Sequence, residues 1–308
     1  MSISAETPIV CLMGPTGAGK TACALALAEH LPIEVVSVDS ALVYRGLDIG
    51  TAKPDPVQRG RVRHHLIDIC DPAESYSAAR FRQDARACIE DILARGRLPL
   101  LVGGTGLYFR ALLDGLAELP VADPNLRARL AGEHHALGTA AMHARLQAVD
   151  PLRAVQIHPN DPQRILRALE VFETTGYSMS RLLCAGNANG LPYRVHRWVL
   201  AHGDRAALYR QLAARFHGML ERGLVNEVIG LRSRADLDLS KPAMRAVGYR
   251  AVWRYLAGEL NYAEMVDAAI TATRQLAKRQ VTWFRRDEGA IWWDSATLEL
   301  TKKMLAML

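Results

Sequence analysis

Ile9-Val10-Cys11-Leu12-Met13-Gly14-Pro15-Thr16-Gly17-Ala18-Gly19-Lys20-Thr21 is the stretch whose reading decides the fold. Its first five residues are apolar without interruption, as in a strand buried on both faces. The next eight fit the spacing G-x-x-x-x-G-K-[ST], and an alanine-rich helix is predicted from about Lys20 to His30. Strand, glycine loop and helix in that order make an anion site. Successive backbone N–H groups turn inward around phosphate oxygens, Lys20 adds a point charge, and the Thr21 hydroxyl suits Mg²⁺. The positive end of the helix dipole faces the same anion. A merely flexible glycine turn would leave the Lys20-Thr21 pair without a purpose. Gly14, Pro15, Thr16, Gly17, Ala18, Gly19, Lys20 and Thr21 are therefore read as a diphosphate or triphosphate site.

Outward from this loop, strand and helix alternate. Pro32 breaks the first helix before an apolar strand over Ile33–Val38. A helix is expected over Ala78–Arg95, capped by Ser77 and closed by Gly96, with Phe81, Ala85, Cys88 or Ile89, and Ile92 on one face. Strand Leu98–Val102 follows and stops at Gly103-Gly104. Apolar strands between helices indicate an α/β fold, a P-loop-type parallel sheet flanked by helices. Ligands of such sheets bind at the carboxyl ends of the strands. The phosphate loop, Asp39-Ser40 and Gly103-Gly104-Thr105-Gly106 all fall at such ends and should meet at one crevice.

From about Pro120 the pattern changes. Helical signals run from Asp123-Pro124, and again from Pro162 over Gln163–Thr174. A polar turn cluster, Gly186–Pro192, precedes a strand over Arg194–Leu200. Residues 120–192 are read as a helical insertion domain emerging from a core made of 1–119 and 193–308. The core ends in helices over Arg205–Arg222, Val225–Arg234 and Tyr262–Arg286 and a strand over Ala290–Trp293.

Composition narrows the class. In 308 residues, 50% hydrophobic and 23% charged describe an ordinary globular chain with ample core. No apolar run reaches the roughly 20 residues that span a bilayer. The opening Met1–Glu6 lacks a leader pattern, so a cytoplasmic protein is expected. The five cysteines are scattered, without C-x-x-C, and read as reduced thiols. A net charge of +6 is compatible with a polyanionic partner without requiring one.

Several side chains invite a chemical reading beside a bland one. Asp39 ends its strand next to the phosphate loop, where it suits a Mg²⁺ ligand or a general base, or else an Asx turn. The strand ending at Gly103 carries no acidic residue, which weakens a hydrolase reading. Thr105 sits among glycines that admit close backbone approach. Arg215 points into the edge of the stripe Leu208, Leu212, Phe216, Met219. It needs an anion there, either a phosphate in the crevice or a structural partner. Gln163, Arg164 and Arg167 share a polar helix face, solvated or meeting a nucleic-acid backbone. Lys278–Arg286 interleaves basic and aromatic residues, favouring a helix with buried Trp283 and Phe284 over a nucleic-acid surface. His64-His65 lacks metal-spaced companions and reads as structural.

Taken together, these segments resemble the bacterial tRNA dimethylallyltransferase family, also called isopentenyl-diphosphate:tRNA transferases. The resemblance spans nearly the whole chain. It rests on Gly14–Thr21, Asp39–Gly46, Asp48-Ile49-Gly50-Thr51-Ala52-Lys53-Pro54, His64–Asp68, Gly103–Tyr108, Asp161–Glu170, Arg245–Arg250 and Lys278–Arg285. The Asp48–Pro54 and Gly103–Tyr108 segments are its most specific parts. It implies transfer of a dimethylallyl group from dimethylallyl diphosphate to the N6 amine of the adenosine 3′-adjacent to the anticodon. The tRNAs served would read codons beginning with U, and the product would be N6-(dimethylallyl)adenosine.

Under that resemblance, Gly14–Thr21 and Arg215 would hold the diphosphate and Thr21 the Mg²⁺ cofactor, while Asp39 and Thr105 would be catalytic at N6. The anticodon stem-loop would meet Asp39, Ser40, Ala41, Leu42, Thr105 and Arg127. It would also meet Gln163, Arg164, Ile165, Leu166, Arg167, Arg245, Ala246, Val247, Gly248, Tyr249 and Arg250. The last group would be Lys278, Arg279, Gln280, Val281, Thr282, Trp283, Phe284 and Arg285. A monomer without membrane attachment is implied. The alternatives are an adenine-nucleotide isopentenyltransferase, a small-molecule P-loop kinase, and a non-catalytic phosphate-binding RNA module. None of the three needs both a helical insertion and a placed Asp39–Thr105 pair.

Overall fold

The computed structural model describes residues 8–117, 119–121, 123–185 and 190–308. The residues read for a leader, 1–6, and the Gly186–Asn189 part of the polar turn lie outside them. In chain order the elements are β1 (Pro8–Met13), α1 (Lys20–Ala28), β2 (Ile33–Val38), α2 (Pro56–Arg61), β3 (His64–His65), α3 (Ala78–Ala94), β4 (Leu98–Gly103) and α4 (Gly106–Leu113). Then come α5 (Pro124–Val149), α6 (Pro151–Gln156), α7 (Pro162–Thr175), α8 (Met179–Ala185), β5 (Arg194–Ala201) and α9 (Arg205–Glu221). The last are α10 (Leu224–Arg232), α11 (Val247–Leu256), α12 (Tyr262–Phe284), β6 (Ile291–Asp294) and α13 (Leu300–Leu305). Two compact units result, Met1–Leu113 with Leu191–Leu308, and Asp114–Gly190.

The first unit is built on one six-stranded sheet in the order β3-β2-β4-β1-β5-β6, every neighbouring pair parallel. The apolar strands alternate between two cores, because successive side chains of a strand leave opposite faces. Ile9, Cys11, Met13, Val36 and Val38 enter the core beneath α3, α4 and α9 to α12. Val10, Leu12, Ile33 and Val35 enter the other, with Cys23 and Leu27 of α1 and Met304 of α13. Short elements escaped the sequence reading. α2 and β3 are too brief for periodicity to reveal, and Gly103–Tyr108 runs from a strand end directly into α4.

The second unit is wholly helical among the described residues. Asp123 caps α5 by accepting from the Asn125 and Leu126 N–H groups, and Asp161 caps α7 by accepting from the Arg164 N–H. Gly138, with φ of 80° and ψ of 165°, breaks α5 into two helices. Leu130, Met142, Leu146, Ile165, Ala168 and Leu169 form its core. Among the described residues, no helix is long and apolar enough to cross a membrane.

Candidate active site

One rung of the sheet aligns the three predicted loops. Val38 of β2 is in register with Gly103 of β4, and Gly103 with Met13 of β1. Asp39, Gly104 and Gly14 each follow one of these residues, so the three loops leave the sheet side by side.

The phosphate loop is held from within and from outside. Lys20 Nζ donates to the Gly14 and Pro15 carbonyls at 2.9 and 2.7 Å, folding the side chain back along the loop. Burial lowers its pKa from 10.5 to about 8, Asp39 opposing the fall and Arg215 adding to it. An ammonium poised this way gains most from an arriving anion, which restores the charge that burial penalises. Leu208 and Leu212 of α9 lie against Gly17. Three residues beyond Leu212, Arg215 is also driven below its usual pKa by burial, again opposed by the Asp39 charge. Among the described residues no acceptor hydrogen-bonds to Arg215, so of its two sequence readings the structural ion pair finds no carboxylate.

Asp39 combines its bland and chemical readings. Its Oδ1 accepts from the Ala41 N–H at 2.8 Å and the Leu42 N–H at 3.4 Å, an Asx-type cap. Oδ2 has no partner among the described residues, so one oxygen anchors the carboxylate while the other stays open. Thr105 supports this turn, its Oγ1 accepting from the Ser40 N–H at 3.1 Å and its own N–H donating to the Val38 carbonyl. The Thr105 hydroxyl proton remains available to the crevice.

The basic-aromatic run on α12 turns two side chains toward these loops. Gln280 Oε1 accepts from the Thr16 N–H at 2.8 Å, and its Nε2 donates to the Gly104 carbonyl at 2.9 Å. A Cβ at Gly104 would stand 2.3 Å from Gln280 Nε2, and one at Gly106 2.9 Å from the Trp283 indole. Those glycines are empty of side chain because α12 occupies the space. Resemblance had placed Gln280 among the RNA-facing residues. The signal for an inward position was available, since Ala277, Gln280 and Phe284 recur at helical spacing on the buried stripe.

The Asp48–Pro54 segment is locked rather than open. Glu227 accepts from the N–H groups of Asp48, Ile49 and Gly50 at 3.1, 2.8 and 3.2 Å, and receives the Tyr249 hydroxyl. Lys53 is buried and donates to Asp48, Asp68 and the Tyr44 carbonyl. The polar groups of this stretch are thus spent on holding the fold. His65 Nε2 lies 2.7 Å from the buried Glu34, as a structural histidine would.

Residues expected at RNA sort by exposure. Arg164 has a side chain 70% exposed with a loose 3.4 Å contact to Asp161. Lys278, Arg279, Thr282, Arg285 and Arg250 are exposed, and Gln163 with them. Arg127 and Arg167 instead converge on Glu170, each at 2.9 Å, and Arg167 also donates to the Pro120 carbonyl. The Glu170 side chain is 2% exposed. That buried carboxylate was not singled out from the sequence, and it claims two cations read as free. Ile165, Gly248, Tyr249 and Phe284 have no surface to offer; any part they have in RNA binding runs through the helices they anchor.

Comparison with known proteins gives a consistent picture. The IPP transferase family model matches residues 42–287. The tRNA dimethylallyltransferase of Alkalilimnicola ehrlichii is 57% identical over 286 residues, 93% of this chain and 90% of that protein. That of Methylococcus capsulatus is 52% identical over 303 residues, 98% and 97% of the two chains. Among solved structures, the full-length tRNA isopentenylpyrophosphate transferase from Bacillus halodurans superposes with a TM-score of 0.71 at 38% identity, covering 98% of this chain and 94% of that one. A eukaryotic dimethylallyltransferase acting on tRNA reaches a TM-score of 0.82 at 25% identity, covering 98% and 78%.

Proposed function

The chain belongs to the IPP transferase family, and we propose from that premise that it moves a dimethylallyl group from dimethylallyl diphosphate onto tRNA. The acceptor is the N6 amine of the adenosine 3′-adjacent to the anticodon, in tRNAs that read codons beginning with U. One observation carries the reading: an anion loop and an open carboxylate leave the same rung of one sheet, with Lys20 and Arg215 both sensing Asp39. A leaving group and a proton acceptor are what substitution at an allylic carbon by an amine requires.

The residues divide the work by charge. The loop N–H groups, Lys20 and Arg215 hold the diphosphate and take up the charge it gains as its bond to the allylic carbon breaks. Asp39 Oδ2 accepts the proton that N6 sheds as the new carbon–nitrogen bond forms, and pyrophosphate departs. The Thr105 hydroxyl orients the amine beside it. Water must stay out, because an electron-poor allylic carbon would otherwise be hydrolysed.

The site also suits Mg²⁺. Among the described residues no cluster of three His, Cys, Asp or Glu side chains is placed to hold a metal. Mg²⁺ does not ask for one, keeping several waters and leaning on substrate phosphates with one or two protein oxygens. Thr21, half-exposed at the start of α1, is such an oxygen. When bound, the ion would supply further charge neutralisation on the diphosphate.

For RNA we propose that Arg164, Lys278, Arg279, Arg285 and Arg250 supply exposed phosphate contacts, with Asp39–Leu42 and Thr105 lining the entrance for the flipped adenosine. Arg127 and Arg167 contribute through the Glu170 cluster that shapes their unit. The tRNA substrate puts the reaction in the cytoplasm, and one chain supplies both the loop and Asp39, so a monomer suffices. Neither the adenine-nucleotide nor the kinase alternative gains support, since the relatives are named for tRNA. Incubation with labelled dimethylallyl diphosphate, Mg²⁺ and unmodified tRNA, beside AMP and ATP controls, tests the reading. Label is expected in tRNA alone; transfer only to AMP, or ATP turnover without RNA, would overturn it.

A further inference from the structure

The unusual residue of α12 is a neutral one. Within Lys278-Arg279-Gln280-Val281-Thr282-Trp283, charged side chains point outward and Gln280 points into the fold. Its amide bridges two loops that no strand pairing joins above the sheet. Oε1 takes the Thr16 N–H of the phosphate loop, and Nε2 reaches the Gly104 carbonyl. From Gly104 the chain continues to Thr105, whose Oγ1 receives the Ser40 N–H next to Asp39. Through one planar amide, the end of the crevice that holds the leaving group is tied to the end that accepts the proton.

We infer that Gln280 is a positioning residue that sets the separation between the phosphate loop and the Asp39–Thr105 pair, linking both to the helix that carries the exposed cations of α12. The inference rests on the prenyl-transfer reading for its kinetic consequence, though not for its geometry. Rigid donor and acceptor groups at opposite ends of one amide fix a distance better than a lysine or arginine would. A displacement near 1 Å between reacting groups costs about 10²-fold in rate. Neither substrate need bind more weakly, since Gln280 already takes the Thr16 N–H and the Gly104 carbonyl, leaving Lys20, Arg215 and the other loop N–H groups for the diphosphate.

Gln280→Ala and Gln280→Glu test this. In Gln280→Ala, kcat is expected to fall about 10²-fold with both KM values within about 3-fold. Gln280→Glu keeps the volume and guards against a variant that fails to fold. Ionised, it keeps an acceptor for Thr16 but faces the Gly104 carbonyl without a proton; protonated, it restores both hydrogen bonds. Its kcat relative to wild type should therefore recover at least ~3-fold between pH 8 and pH 6. Amide hydrogen exchange gives a readout that needs no turnover. Peptides covering 14–21 and 103–108 should exchange roughly 10-fold faster in Gln280→Ala, and unchanged in Lys278→Ala.

An unaltered kcat, unchanged exchange, or a loss confined to the tRNA KM with a flattened salt dependence would overturn the inference, the last marking Gln280 as an RNA contact. Wild-type protein that prenylates no tRNA would overturn the proposed function instead, and the exchange result would still decide the bridge.

Discussion

Glu34 and Asp39 stand at the two ends of β2, five residues apart, and the same functional group meets opposite fates. The Glu34 carboxylate, 4% exposed, is surrounded by Arg95, His65, Arg97 and Arg63. Burial pushes its pKa up, but hydrogen bonds from Arg95 and His65 outweigh that and hold it at about 2. Asp39 has spent one oxygen on backbone N–H groups and has no direct partner for the other among the described residues. Two cations sense it from nearby without closing on it. At the amino end of the sheet, charge is neutralised to hold the fold. At the carboxyl end, charge is left incompletely paired, as the proposed binding of a diphosphate and an amine requires.

Exchanging the fates of these two carboxylates would break the contrast. Asp39→Ala should lower turnover at least ~10²-fold while leaving diphosphate affinity nearly intact, read by steady-state kinetics beside titration with an unreactive analogue. Equal turnover in variant and wild type would remove Asp39 from the chemistry. Glu34→Gln should do the reverse, costing roughly 2 kcal/mol of stability in denaturant unfolding while kcat stays within about 2-fold. The depressed pKa adds a pH signature. The Glu34 contribution is fully present above about 4.5, its ordinary value. It fades as pH falls toward about 2, so the acid loss of stability should shrink in the variant.

The Lys20 end sharpens the comparison. In the free protein Lys20 loses its proton near pH 8, whereas a bound anion keeps it charged. Pyrophosphate affinity should then fall as pH rises beyond about 8, by up to ~10-fold per unit, and the Lys20→Met variant should lack that component. Titration calorimetry across pH 7 to 10 reads it, and identical slopes would show Lys20 uninvolved. The smallest effect is expected farthest from β2. Arg164→Ala should raise the tRNA KM a few-fold and flatten its salt slope by about one unit; an unchanged slope would remove Arg164 from the RNA surface.

Much of this was legible because it is local. The strand Pro8–Met13 and the loop after it declare themselves through uninterrupted apolar residues and glycine spacing. Asp123-Pro124 and Pro162 announce their helices through start signals, and the Asp161 cap on the second emerges only in the structure. What escaped reading was long-range. α2 and β3 have too few residues to show a period. Arg127 and Arg167 look like free cations until Glu170 is seen between them, and the Asp48–Pro54 stretch carries only a family signature until Glu227 is found holding its backbone.

Sequence by itself determined the parallel sheet, the strand–loop–helix that opens it and the family, since uninterrupted apolar strands and glycine spacing are local signals. Only the tertiary structure decided which oxygen of Asp39 stays open, which arginines are already engaged, and that Gln280 reaches Thr16 across 264 residues of chain. Those outcomes depend on which helix face packs against which loop, and packing is settled by the whole core rather than by any one segment.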